Sequence, residues 1–167
     1  MKLRPFVPEE EKGVDLKKRN EIYLILDNLR SVHNIGAIFR TADATMVAKI
    51  YLCGITAHPP RKDLEKTALG AEKYVPWEYC ETTVDAINIC RSQNIPIIAL
   101  EQTDKSTDFH QFKFKKPLAL IIGNEVDGIG NDNLALCDAA IEIPMYGCKN
   151  SLNVTTATGI ALYEAIR

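Results

Sequence analysis

Short apolar runs alternate along this chain with stretches in which apolar residues return every three or four positions. Tyr23-Leu24-Ile25-Leu26, Ile50-Tyr51-Leu52-Cys53 (ended by Gly54), Pro96–Leu100 and Leu118–Ile122 are contiguous runs of strand length. Val75–Tyr79 and Ala140–Ile143 are weaker strand candidates. Helical periodicity begins at Asn34, a candidate N-cap, with Ile35, Ile38, Phe39, Ala42 and Met46 on one stripe. Asp63–Leu69 and Asn131–Cys137 read as short helices. Thr82–Gln93 is a longer one, with Val84, Ile87, Cys90 and the stem of Arg91 facing inward. Leu152–Ile166 is a closing helix. Strands alternating with helices predict an α/β domain whose mostly parallel sheet has helices on both faces. Ligands of such sheets bind where loops leave the carboxyl ends of the strands.

Composition narrows the class. A chain of 167 residues suits one domain with a real core. With 46% hydrophobic and 25% charged residues, it has the make-up of an ordinary globular protein. A formal net charge of -2 excludes a broadly basic nucleic-acid coat and limits any RNA site to a focused patch. The five cysteines are scattered with no CxxC pair, and the three histidines lie apart, so neither a disulfide framework nor a metal site is expected. No signal peptide or membrane span is expected either, which suggests a reducing, cytoplasmic setting. Residues 1–20 form a charged extension, with Glu9-Glu10-Glu11 ahead of Lys17-Lys18-Arg19, and 21–167 the folded domain.

Two loops in the ligand-binding position hold most of the reactive polar residues: 123–130 and 144–151. The first fails both common phosphate fingerprints. Gly123 and Gly128 have the Walker spacing, but Ile129 replaces the lysine. Gly128 and Gly130 are followed by Asn133 where a dinucleotide fold needs its third glycine. What remains is a loop whose glycines admit a ligand close to the backbone, around one carboxylate, Glu125. Taken alone it reads sooner as an ordinary turn. Arg40 lies on a small-residue face with Gly36, Ala37 and Ala44, and reads alone as a surface partner of Asp43. Asn150-Ser151-Leu152-Asn153 precedes the last helix and offers either a ligand site or a simple cap at Asn150 or Ser151. Gly159 inside that helix points to close packing on another helix, in this subunit or a partner.

The three segments together resemble a known family. Ser31–Ala44, with Asn34 six residues before Arg40, is similar to the first motif of the SpoU/TrmH branch of the SPOUT superfamily. Leu120–Glu125 with Gly128 resembles its second motif, and Ile143-Pro144-Met145 through Ser151-Leu152-Asn153-Val154 its third. The likeness runs from about residue 22 to the last helix. It departs at Thr45-Met46, where the family usually carries a glycine, and at Thr155-Thr156.

The resemblance implies an S-adenosylmethionine-dependent methylation of a ribose 2′-hydroxyl in tRNA or rRNA, in a homodimer whose sheet ends in a C-terminal trefoil knot. It assigns Asn34, Arg40, Glu125, Ser151 and Asn153 to catalysis and the reacting nucleotide, with Asn34 positioning Arg40. Cofactor contacts fall to Ile122, Gly123, Ile143, Met145 and Leu152, largely through backbone, and no metal is required. Arginine is normally fully protonated, so Arg40 acts either as proton acceptor or as a stabiliser of phosphate and alkoxide. Clustered cations suited to RNA are Lys17, Lys18, Arg19, Arg30, Arg61 and Lys62, with Lys113, Lys115 and Lys116 as a second group. The rival readings are an inactive RNA-binding relative and a small-molecule enzyme of another class, such as a nucleotide hydrolase.

Overall fold

The computed structural model describes Asp15 and residues 18–167, so Lys17 and most of the charged extension lie outside the described residues. Seven strands form one sheet: β1 (Asn20–Asp27), β2 (Val47–Cys53), β3 (Trp77–Cys80), β4 (Ile97–Leu100), β5 (Thr107–Asp108), β6 (Leu118–Ile122) and β7 (Ala139–Glu142). Their order is β3-β2-β1-β6-β4-β7-β5, and every adjacent pair is parallel. Five helices cover it: α1 (Val32–Ala44), α2 (Lys62–Ala68), α3 (Thr83–Ser92), α4 (Asn131–Leu134) and α5 (Val154–Ala165). No described helix is long and apolar enough to cross a membrane.

Strand alternation sorts the apolar runs onto two faces. Leu24, Leu26, Ile50, Leu52, Leu120 and Ile122 point to one side, where Ile35, Ile38, Phe39 and Ala42 of α1 and Ala161, Leu162 and Ala165 of α5 meet them. Ile25, Tyr51, Cys53, Ala119 and Ile121 point to the other, against Ala86, Ile87 and Cys90 of α3. Runs apolar at every position are therefore what a sheet covered on both sides requires.

Several element ends differ from the sequence reading. Ser31, not Asn34, caps α1: its hydroxyl accepts the Asn34 N–H at 3.3 Å. Met46 leaves the apolar stripe because the helix stops at Ala44. It takes a left-handed φ of 52° and turns its N–H back onto Asp43. In α3 the Thr82–Asp85 capping box puts Thr83, Ala86, Ile87 and Cys90 inward. Val84 is thereby left 39% exposed, and Arg91 lies on the surface with its guanidinium on the Leu136 carbonyl. Neither Asn150 nor Ser151 caps α5; Asn153 does, so the helix starts at Val154. The third strand begins at Trp77 rather than Val75, and α4 is a single turn. Gly36 packs within this chain: a Cβ there would lie 2.6 Å from Thr67 Cβ of α2. That contact consumes part of the small-residue face.

One buried carboxylate ties two helices of one face, α3 and α4, to the sheet. Asp27, 3% exposed at the end of β1, accepts the Asn28 amide at 2.8 Å and the Thr83 hydroxyl of α3 at 2.5 Å on one oxygen. Its other oxygen accepts the Asn133 amide of α4 at 2.9 Å. Removing a buried acceptor strands its donors, so Asp27→Ala is expected to cost about 2–4 kcal/mol. Urea denaturation of the wild type and the variant measures this, and a loss within experimental error would show that the cage adds nothing.

Candidate active site

Loops leaving the carboxyl ends of β1, β4, β6 and β7 converge on one cavity of about 710 Å³. Asn34, Glu125, Ser151 and Asn153 line it, as do Ile122, Gly123, Ile143, Met145 and Leu152. The walls mix backbone and apolar side chains with carboxylates and amides. The loop after β6 folds back on itself, with Asn124 and Gly128 exchanging two backbone hydrogen bonds at 3.1 and 3.0 Å. This return runs so close to Gly123 that a Cβ there would lie 2.4 Å from the Gly128 carbonyl carbon. The Asn124 side chain pins the turn: its oxygen accepts the Val126 and Asp127 N–H groups, and its amide donates to Asn28 O at 2.7 Å.

At the mouth of the cavity, Glu125 joins two loops that are far apart in sequence. Its carboxylate accepts the N–H groups of Arg30 at 2.9 Å and Ser31 at 3.0 Å, and the Asn34 amide at 2.9 Å. The Asn153 amide donates in turn to Asn34 Oδ1 at 3.4 Å. The Asn153 oxygen is held by the N–H and hydroxyl of Thr155. A one-way relay results, Asn153 to Asn34 to Glu125, that fixes which way each amide points. Partial burial alone would raise the Glu125 pKa. The donated hydrogen bonds from Arg30, Asn34 and Ser31 outweigh it and hold the carboxyl below its ordinary value. Glu125 is therefore an acceptor at neutral pH, suited to orienting groups and not to giving up a proton.

Arg40 does not join this cluster. Six residues along an α-helix carry a side chain about 120° around the axis from Asn34. Arg40 is exposed beside Ala37, Thr41, Ala44 and Tyr163, and forms neither the Asp43 pair nor any contact with Asn34. Ser151 lines the cavity without a hydrogen bond among the described residues. The candidate RNA cations are dispersed. The Arg19 guanidinium is committed to the Val47 and Tyr74 carbonyls, and Arg61 to Asp63 at 2.7 Å. Lys18 and Lys62 are exposed, and Arg30 is exposed on the loop that Glu125 holds.

Sequence reasoning missed Glu101 and Gln102, which follow β4 directly and line the same cavity. Glu101 accepts the Ile129 N–H at 3.0 Å, and the Gln102 amide donates to Asn150 O at 3.0 Å, so the pair ties both candidate loops to the central sheet. Their place at the carboxyl end of a core strand was the available signal.

Known proteins resemble this chain in sequence and in fold. The profile of the SpoU rRNA Methylase family matches residues 21–163. A tRNA (guanosine(18)-2′-O)-methyltransferase of Aquifex aeolicus is 33% identical over 151 residues, covering 90% of this chain and 71% of its own. A 23S rRNA (guanosine-2′-O-)-methyltransferase of Vibrio parahaemolyticus is 35% identical over 146 residues, 87% of this chain and 59% of its own. The crystal structure of an AdoMet-bound rRNA methyltransferase from Sinorhizobium meliloti superimposes with a TM-score of 0.82 at 32% identity, over 89% of this chain and 56% of that one. The chain thus spans less than two thirds of two of these relatives. By sequence and by fold, it belongs to the SpoU rRNA Methylase family.

Proposed function

We propose that this protein transfers the methyl group of S-adenosylmethionine to a ribose 2′-hydroxyl of tRNA or rRNA. The observation that carries the reading is the Glu125–Asn34–Asn153 relay at the mouth of a glycine-lined cavity, in a chain whose relatives are 2′-O-methyltransferases. The cavity fits the cofactor: its volume lies in the range of small-molecule sites, and apolar side chains in its wall sit beside groups that can hydrogen-bond. When bound, the cofactor supplies an electrophilic methyl group on a sulfonium.

The chain's own residues then supply position. Ile122, Gly123, Ile143, Met145 and Leu152 hold the cofactor between backbone and apolar walls and exclude water. Asn34, oriented by Glu125 and Asn153, directs the ribose, and Ser151 contacts the reacting nucleotide. Alignment of this kind is the main demand of an in-line displacement. Arg40 acts from a second copy of the chain, either taking up the hydroxyl proton or stabilising the phosphate and the alkoxide. Its distance from Asn34 around α1 and its open surface beside Tyr163 support a site completed by a homodimer. Insertion of β6 between β1 and β4, after β4 in the chain, supports a knotted C-terminal path. Lys18, Arg30 and Lys62, with Lys17, serve the RNA backbone. Five free thiols accord with a cytoplasmic setting.

Calorimetry with S-adenosylmethionine in the presence of a chelator is expected to show binding equal to that without it; binding that vanishes on chelation would refute the metal-free reading. Arg40→Ala is expected to slow transfer of labelled methyl to bulk RNA by roughly 10²-fold or more, with cofactor affinity unchanged. Co-assembly of Arg40→Ala and Glu125→Ala chains should restore part of the activity, and variants at wild-type rate would reduce Arg40 to a surface residue. Gly159 reads on the interface: a Cβ there meets only Thr41 Cγ2 at an ordinary 3.8 Å within the chain. Gly159→Ala should therefore stabilise α5 by up to about 1 kcal/mol while weakening the dimer in sedimentation. An unchanged dimer would move the interface elsewhere.

A further inference from the structure

The cavity wall carries four carboxylates, Glu101, Glu125, Asp127 and Glu142, and no lysine, arginine or histidine among the described lining residues. Three of them are satisfied by neutral donors. Glu125 takes two backbone N–H groups and the Asn34 amide, and Glu142 takes the Ser106 hydroxyl at 2.5 Å. Glu101 takes the Gln102 N–H on one oxygen and the Ile129 N–H on the other, each at 3.0 Å. None is ion-paired among the described residues. Neutral donors meet a carboxylate's need for hydrogen bonds but leave its charge in place, so the cavity holds a net negative field.

Glu101 is the best placed of these to act on a ligand. It stands at the end of β4, between β6 and β7, where the loops that wall the cavity diverge. Gly128 admits it: with φ at 67°, it lies so close that a Cβ would come within 2.5 Å of the Glu101 carboxylate. Both oxygens are fixed by backbone, so the charge cannot swing out to solvent.

We propose that Glu101 determines cofactor specificity by charge, favouring the sulfonium of S-adenosylmethionine over the neutral thioether of S-adenosylhomocysteine. The inference rests on the methyltransferase reading above. In that reaction the sulfur–methyl bond breaks and an oxygen–methyl bond forms. The electron pair stays on sulfur, and the ribose proton leaves to base or solvent. The cofactor thus loses its sulfonium charge at the moment of transfer, and with it the attraction of Glu101. Spent cofactor is then held less tightly than fresh cofactor, which promotes exchange in a narrow cavity.

Calorimetry on the intact protein tests this with three probes: S-adenosylmethionine, S-adenosylhomocysteine and sinefungin, which carries an amine cation near the sulfonium position. The wild type is expected to bind the two cationic probes more tightly than the thioether. Glu101→Gln keeps the shape and removes the charge. It is expected to weaken both cationic probes by roughly tenfold, the scale of one unit charge acting across a partly solvated site, and to leave the thioether nearly unchanged. Equal weakening of all three would make Glu101 a brace for the Ile129 loop and nothing more, and no weakening would remove it from recognition altogether. Wild-type preference for the thioether would overturn the proposal without any variant, which covers the case of Glu101→Gln failing to fold. A wild type that binds none of the three refutes the methyltransferase reading itself, a different outcome from an unaltered preference.

Discussion

Everything at the mouth of the cavity depends on what one carboxylate accepts. Glu125 draws the N-terminal turn of α1 onto the loop after β6, and through Asn34 it reaches the cap of α5. The turn of α1 lies more than ninety residues from the loop after β6 and farther still from the cap of α5, so no local preference could assemble them. The parallel sheet brings their backbones to the same end, and the carboxylate then sets their side chains. Its oxygens are held by two backbone N–H groups, which do not change rotamer, and that makes the geometry at Asn34 firm even though Glu125 itself is exposed. A lysine partner would have given more attraction and less direction.

The floor of the cavity follows a different logic. There main chain forms part of the wall: the absence of a side chain at Gly123 lets the loop after β6 fold back closely, and the Asn124 side chain holds that turn. Apolar residues beside it do double service, as Ile122 and Ile143 belong to or pack against the hydrophobic core while also walling the site. The site is therefore as rigid as the sheet beneath it, and its polar relay is confined to the rim.

How much of this could be read from the residues varies with the kind of information each position carries. The central strands were legible because Leu24-Ile25-Leu26 and Leu118–Ile122 are apolar at every position, which a sheet covered on both faces demands. Their sorting into two cores follows from alternation alone. Helix ends were less legible where two capping residues compete. Ser31 and Asn34 both suit an N-cap, and only the extended backbone of Ser31 decides between them. The outcome matters chemically, because Asn34 as a third helical residue keeps its amide for Glu125. Val84 was misread because an apolar residue beside a cap resembles the start of an inward stripe. Glu101 and Gln102 carried no motif, and their role comes from the strand they follow. The resemblance pairs Arg40 with Asn34, and within one chain helical rotation sets the two on different faces.

The strand order carries a consequence for how the protein comes into being. β6 lies between β1 and β4, paired with Ile22–Leu26 on one side and Ile97–Leu100 on the other. Nearly a hundred residues separate β6 from β1, so this pairing closes a long loop, a slow and entropically costly step. Until β6 is seated, Ile122 and Gly123 have no fixed place, and neither does the turn that Glu101 holds. The ligand cavity is thus a late product of folding, and a molecule that fills it binds only the finished sheet. By mass action such a ligand stabilises the completed sheet, so a filled cavity would hold β6 in its place between β1 and β4.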